Sequence, residues 1–143
     1  MANRPITSVD PSGFQILDPK KIPPIGEPGC VAICKSAIAL VENEISSLEG
    51  RIKIEKFWVG QYQSKIQTYK EQYERYKNPK SLNDIDLKYH YKELIEGAEE
   101  CLTRVERYLK KLEEALKNEK ESLKIWKERL AACQKAAELG KNK

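Results

Sequence analysis

Apolar residues in the first half of the chain follow a coiled-coil repeat. From Cys34 onward they recur at alternating spacings of four and three residues, and twelve of these thirteen positions are apolar or aromatic. Such a repeat keeps one stripe of side chains facing a partner helix along its whole length. The positions of this first seam are Cys34, Ile38, Val41, Ile45, Leu48, Ile52, Glu55, Val59, Tyr62, Ile66, Tyr69, Tyr73 and Tyr76.

A second seam with the same spacing follows after a short break. Thirteen of its fourteen positions are apolar or aromatic, and the exception is Glu119. Pro79 ends the first helix because proline cannot continue the hydrogen-bond ladder, and Ser81 or Asp84 can cap the second helix. The second seam consists of Tyr91, Ile95, Ala98, Leu102, Val105, Leu109, Leu112, Leu116, Glu119, Leu123, Trp126, Leu130, Cys133 and Ala137.

The two seams predict an all-α fold, a long antiparallel helical hairpin with coiled-coil packing over residues 28–143. Its helices are expected at about 30–77 and 84–139, joined by a turn at about 78–83, and so short a connection makes the helices antiparallel. A continuous helix through Pro79 is the competing interpretation, which proline disfavours by about 3 kcal/mol. A turn centred near residue 81 places Cys30 near Cys133, Ile52 near Lys111 and Tyr73 near Tyr91.

An extended, proline-rich arm is predicted to precede the hairpin. Five of the seven prolines fall within residues 1–27, so this segment cannot form a regular helix. Fully extended, it could reach on the order of 90 Å at about 3.3 Å per residue. The alternatives are a disordered tail and an arm that folds back over the hairpin. The apolar side chains that we expect to dock on a neighbouring protein are Phe14, Ile16, Leu17, Ile22 and Ile25.

Further apolar residues lie outside the seams and predict association. Two helices that touch along one stripe bury little surface, so additional apolar positions indicate additional partners. We expect Ile33, Leu40, Ile54, Phe57 and Trp58 to bind protein partners, with Ala37 beside the first two. The partner could be a second copy in a four-helix bundle or another subunit of a large assembly. Near the open end of the second helix, the corresponding residues are Ile125, Ala132 and Ala136.

Three cysteines are predicted to meet at the open end of the hairpin. Cys30 and Cys34 lie one helical turn apart, and the register brings Cys133 opposite them. A closed structural zinc site needs four ligands, and the single histidine, His90, is expected at the other end, so we predict no metal site. A disulfide from Cys133 to either Cys30 or Cys34 is left open. Ordinary buried thiols are favoured, because a reducing compartment is the default for a chain with few cysteines.

Charge and aromatic residues do not favour nucleic-acid binding. The net charge is only +4, and the lysines of the second helix alternate with glutamates in the pattern of solvated ion pairs. Tyrosines near the turn are interleaved with cations and could stack on bases, but most of them belong to the seams. These tyrosines are Tyr69, Tyr73, Tyr76, Tyr89 and Tyr91, and the lysine row consists of Lys110, Lys117, Lys120, Lys124 and Lys127.

The triplet Trp58-Val59-Gly60 resembles the Trp-x-Gly signature of the small helical-hairpin proteins of specialised bacterial secretion. In that family the triplet forms the hairpin turn. Here the first seam runs through the triplet and on to Tyr76, so the chain is not assigned to the family. Gly60 is interpreted instead as a position that a neighbouring element approaches closely.

The sequence favours a structural role over catalysis. It contains one histidine and no glycine-rich phosphate loop, so we expect neither an enzyme nor a cofactor. It also lacks an apolar run of membrane-spanning length and a signal peptide, which predicts residence in the cytoplasm or within an assembled particle. We expect a minor component that clamps neighbouring subunits in a large complex, and analogy suggests a virion. The alternative is a coiled-coil adaptor, secreted substrate or nucleic-acid-contacting module that uses the hairpin tip.

Overall fold

The computed structural model describes residues 29–141, and two helices form nearly all of this part. Helix α1 spans Cys30–Arg75 and helix α2 spans Leu82–Lys141. The helices pack against each other, which confirms the predicted all-α helical hairpin. The end of α1 and the start of α2, which flank the connection, each lie two residues earlier in the chain than predicted. The proline-rich arm and its five candidate contact residues, Phe14, Ile16, Leu17, Ile22 and Ile25, lie outside the described residues.

Helix α1 begins directly after a glycine in the left-handed region. Gly29 has a φ of 86°, which a residue with a Cβ rarely adopts. Its carbonyl oxygen accepts a hydrogen bond from the Ile33 N–H at 2.9 Å, so Gly29 is the N-cap residue of the helix. This bond closes the first turn of α1.

The connection between the helices is organised by a serine cap. The Asp84 N–H donates to Ser81 Oγ at 3.2 Å, and the Lys80 N–H donates to Asp84 Oδ2 at 3.1 Å. These bonds satisfy backbone groups that helix formation leaves without partners. Pro79 lies in the connection, so the alternative of one continuous helix is wrong.

Helices α1 and α2 contribute to two compact units. The first unit contains the described part of residues 1–49 together with residues 113–141, and the second contains residues 50–112. In the first unit, a buried cluster is surrounded by half-buried aliphatic side chains. The members of this cluster are Cys30, Cys34, Ala37, Val41, Trp126 and Cys133.

The second unit has a thinner core. Its buried apolar residues are Ile52, Ile66, Ala98 and Leu112. At its surface the Arg51 guanidinium lies 5.7 Å from the centre of the Tyr108 ring, a contact between α1 and α2. Because neighbouring seam positions are mostly half-buried, the core of this unit is a narrow stripe between the helices.

The burial pattern follows the two seams closely. All thirteen positions of the first seam are buried or half-buried, and so are all positions of the second seam except Ala137. The prediction for Ala37 is wrong, since this residue is fully buried in the cluster of the first unit. Near the start of α1 the buried side chains are separated by four, three and four residues, and the third of them is Ala37 rather than the seam residue Ile38. They are Cys30, Cys34, Ala37 and Val41.

The register is correct at the cysteines, and near the connection one predicted ring contact differs. Cys30 and Cys133 are paired as predicted, with their Cα atoms 5.9 Å apart. Near the connection, Tyr91 stacks on Tyr76 with ring centres 6.1 Å apart, instead of on Tyr73. The Lys88 ammonium lies 6.0 Å from the centre of the Tyr73 ring. These two contacts lie on opposite sides of the predicted pairing, so the register near the connection agrees with the prediction to within about one helical turn, although the stacking partner of Tyr91 is Tyr76.

Within residues 29–141, neither helix contains an apolar stretch long enough to cross a membrane.

Candidate functional site

Three cysteines lie together in the buried cluster of the first unit. Cys30 and Cys34 come from the first two turns of α1, and Cys133 comes from α2. Their exposed fractions are 3%, 0% and 2%, so solvent barely reaches any of the three. The helical spacing of four residues brings Cys30 and Cys34 to the same face of α1, opposite Cys133.

The structure resolves the choice of disulfide that the sequence left open. Cys30 and Cys133 form the disulfide, and Cys34 remains a free thiol with its Sγ 3.9 Å from the Cys133 Sγ. The expectation of ordinary buried thiols is therefore wrong for Cys30 and Cys133 and holds for Cys34. The three sulfur atoms lie within 4.8 Å of one another. The arrangement combines one disulfide with a third sulfur in contact with it.

The environment of Cys34 favours its protonated form. Burial raises the pKa of the Cys34 thiol above its ordinary value because a thiolate is poorly solvated there, and the positive charge of Arg129 partly opposes this effect. In this oxidised arrangement Cys34 is therefore a protonated thiol at neutral pH.

A large aromatic side chain completes the cluster. Trp126 is fully buried and is the largest of the fully buried side chains in the described part of the chain. Ala37, which the predicted register places opposite Trp126, belongs to the same buried cluster. Sequence reasoning placed Trp126 on the seam but assigned Ala37 to a binding patch. The predicted register was the signal that could have assigned Ala37 to the core, because it places position 37 opposite position 126.

Two predicted binding residues of the first unit are exposed. Ile33 and Leu40 have exposed fractions of 37% and 49%, and they lie seven residues apart on α1. On α2, Ile125 is 42% exposed, whereas Ala132 and Ala136 are half-buried. The first unit thus presents single aliphatic side chains outside its core.

A denser apolar surface lies on α1 in the second unit. Ile54, Phe57 and Trp58 have exposed fractions of 53%, 57% and 45%, and we call these three residues the aromatic patch. The Phe57 and Trp58 rings meet edge to face with centres 5.4 Å apart, and Tyr62 lies 6.4 Å from Trp58. Positions 54, 57 and 58 share one helical face because they are separated by three and four residues.

The Trp-x-Gly triplet has a different setting from that of the secretion proteins it resembles. Residues 58–60 lie in the middle of α1, and the helix continues through them to Arg75. A Cβ built on Gly60 meets no atom within 4 Å. The interpretation of Gly60 as a point of close approach is therefore wrong within the described chain.

The tyrosines near the connection divide between core and surface. Tyr69, Tyr73, Tyr76 and Tyr91 are half-buried along the seams, as their positions predict. Tyr89 is 59% exposed and is the one member of this group that faces solvent freely. Most of the aromatic surface that suggested base stacking is thus used in packing between the helices.

The charged residues form exposed, mixed-sign surfaces. The five lysines of the α2 row are all exposed, and Lys120 pairs with Glu49 across the helices at 3.9 Å. In the second unit Lys70 pairs with Glu99 at 3.7 Å. Such exposed pairs contribute about 0–1 kcal/mol each, so they tune the surface rather than determine the fold.

The comparisons with known proteins give no relative from which a role could be transferred. No protein-family model matches the chain, and searches of curated proteins and of solved structures returned no match.

Proposed function

We propose that this protein is a non-enzymatic structural component of a large assembly, which binds neighbouring subunits through apolar surfaces on α1. The observation that carries the proposal is the aromatic patch, Ile54, Phe57 and Trp58, whose side chains are each about half exposed. The side chains of the two seams already pack against each other. These three side chains lie outside the seams and leave about half of their surface exposed.

The aromatic patch has the composition of a protein interface. Tryptophan and other large aromatic residues dominate binding energy at interfaces because they bury much area at little cost in conformational entropy. Complete burial of an apolar side chain of this size is worth about 1.5–3 kcal/mol. Three such residues on one helical face could anchor a partner helix, with Ile33 and Leu40 as additional contacts in the first unit.

The arm is the second element of the proposal. Residues 1–27 carry apolar side chains between prolines, among them Phe14, Ile16, Leu17, Ile22 and Ile25, a composition suited to an extended segment that lies on another protein. Five prolines fall within residues 1–27, so the arm adds no regular helical turn to α1. We assign it the role of a clamp on a neighbouring subunit, and a virus particle is the kind of assembly that we favour by analogy.

An adaptor that binds through the hairpin connection is the second candidate. It is favoured by Tyr89, which is 59% exposed beside the half-buried Lys88. A tyrosine next to a cation suits an acidic peptide as well as a nucleic acid. The two candidates differ in which surface they need, so substitutions separate them.

The test is the recovery of tagged full-length protein in its native complex. The double variant Phe57→Ser/Trp58→Ser should be recovered at less than about a tenth of the wild-type level, since a loss of about 1.4 kcal/mol already weakens binding tenfold. Leu82→Ser is the control, because Leu82 is 82% exposed but lies outside the patch. Normal recovery of the double variant would refute the structural proposal, and a loss confined to Tyr89→Ser would favour the adaptor.

A further inference from the structure

Three cysteine sulfur atoms lie together in the first unit, and two of them are joined in the Cys30–Cys133 disulfide. The Sγ atoms of Cys34 and Cys133 are 3.9 Å apart, and all three sulfurs lie within 4.8 Å of one another. A metal–sulfur bond of about 2.3 Å in a planar, three-coordinate site places neighbouring sulfurs about 4.0 Å apart. The Cys34–Cys133 pair already has this separation, whereas the sulfurs of Cys30 and Cys133 reach it only after their disulfide is reduced.

We propose that, once the Cys30–Cys133 disulfide is reduced, Cys30, Cys34 and Cys133 bind one Cu(I) ion through three thiolates. The Cα atoms of Cys30 and Cys133 are 5.9 Å apart, so their sulfurs can separate to the required distance by side-chain rotation alone. Neither helix has to move for the ion to be bound.

The donor set selects a soft ion that accepts three ligands. Thiolates favour Cu(I) and Zn²⁺ among the biological metals. Structural zinc is tetrahedral and needs a fourth ligand, but within residues 29–141 no fourth cysteine, histidine or carboxylate joins the group. The three cysteines are also at least 97% buried, which disfavours a water molecule as the fourth ligand of zinc. Cu(I) is satisfied by three sulfurs and is therefore the ion that this cluster fits.

Metal binding and the disulfide exclude each other. A dithiol reductant supplies two electrons and two protons to the Cys30–Cys133 bond, giving two thiols while the reductant becomes a disulfide. Together with Cys34 these make three thiols, and binding of Cu(I) releases their three protons to solvent. In the oxidised chain only Cys34 of the three clustered cysteines is a thiol, so two of the three ligands are missing. The site is thus available only under reducing conditions.

The test is an anaerobic titration of the reduced full-length chain with Cu(I), in competition with a chromophoric Cu(I) chelator. We expect one ion per chain, with three sulfur neighbours at about 2.3 Å in X-ray absorption. Cys30→Ser, Cys34→Ser and Cys133→Ser should each lower the affinity by more than about 100-fold, since even outer-shell partners are worth roughly 10- to 100-fold. Cys101→Ser is the matched control, because Cys101 lies in the second unit and should not affect binding.

Circular dichroism of each variant separates loss of ligand from loss of fold. Cys34→Ser is decisive, because it leaves the Cys30–Cys133 pair intact and should remain helical. Cu(I) should raise the melting temperature of the reduced wild type and not that of Cys34→Ser. Equal affinities of wild type and a folded Cys34→Ser, or two sulfur neighbours instead of three, would overturn the proposal. So would Zn²⁺ binding to the reduced chain more tightly than Cu(I).

Discussion

Two glutamates occupy seam positions, and their surroundings differ. Glu119 is 3% exposed and takes part in a polar or electrostatic interaction inside the first unit. Glu55 is half-buried in the second unit. A carboxylate at a seam position gives up apolar packing that leucine would provide, and it is tolerated where a partner or solvent satisfies its charge. A leucine at position 119 would therefore replace a carboxylate that takes part in an interaction, whereas a leucine at position 55 would replace a carboxylate that is partly exposed to solvent.

Replacement of Glu55 by leucine should stabilise the protein. Leucine at this half-buried position adds apolar area to a seam whose neighbours are apolar, which is worth about 1 kcal/mol. The measurement is the free energy of unfolding by urea, with Glu55→Gln as the control that removes the charge without adding apolar surface. A lower stability of Glu55→Leu would show that the carboxylate is bound by a cation.

At the scale of the helices, the seam between α1 and α2 is the main source of stability. Leu112→Ala should destabilise the hairpin by about 2–5 kcal/mol, because Leu112 is 9% exposed and its removal leaves a cavity in a narrow core. Leu139→Ala is the matched control, since Leu139 lies on α2 with 58% of its surface exposed. Thermal melting that gives the same midpoint for both variants would contradict the packing of this seam.

The N-cap of α2 offers a second test at this scale. Ser81→Ala removes the acceptor of the Asp84 N–H and should cost about 1 kcal/mol. Ser64→Ala, at an exposed position within α1, removes a hydroxyl that caps nothing. Melting midpoints of the two variants and the wild type provide the comparison. An unchanged midpoint for Ser81→Ala would mean that Asp84 and Lys80 hold the connection without the serine.

The helices could be predicted from the sequence because their signals are periodic and local. Heptad spacing identifies the seams, and Pro79 with Ser81 marks the connection. The stacking partner of Tyr91 could not be predicted, because Tyr73 and Tyr76 are neighbouring positions on the same face of α1 and the apolar pattern does not distinguish between them. The choice between Cys30 and Cys34 was beyond the sequence for a similar reason, since both lie on the same helical face. Distances between side chains were needed to settle it.

For the whole molecule, the filled seams and the exposed apolar residues have different roles. The first unit buries Glu119, Trp126 and the three clustered cysteines, whereas the aromatic patch of the second unit is exposed. If the aromatic patch binds a partner as proposed, internal stability and external binding depend on separate residues. Substitutions on the aromatic patch should leave the hairpin folded, which makes binding measurable without loss of structure.

The arm should also be separable from the hairpin. Deletion of residues 1–27 should leave helicity and the melting midpoint nearly unchanged, since a proline-broken segment adds no helical hydrogen bonds. The retained Gly29 still accepts the bond from Ile33, and the Cys30–Cys133 disulfide still ties the start of α1 to α2. Circular dichroism and calorimetry of the truncated and full-length proteins measure both quantities. Loss of helicity would show instead that the arm packs in the core of the hairpin.

The same truncation should abolish incorporation into the native complex, because the clamp proposed for Phe14, Ile16, Leu17, Ile22 and Ile25 is then removed. Recovery of tagged full-length and truncated protein with the complex is the measurement, and the Leu82→Ser variant shows that recovery is not lost through surface change alone. An adaptor that binds near Tyr89 would be recovered equally well with and without the arm. Equal recovery would therefore refute the clamp and leave the connection between α1 and α2 as the binding surface.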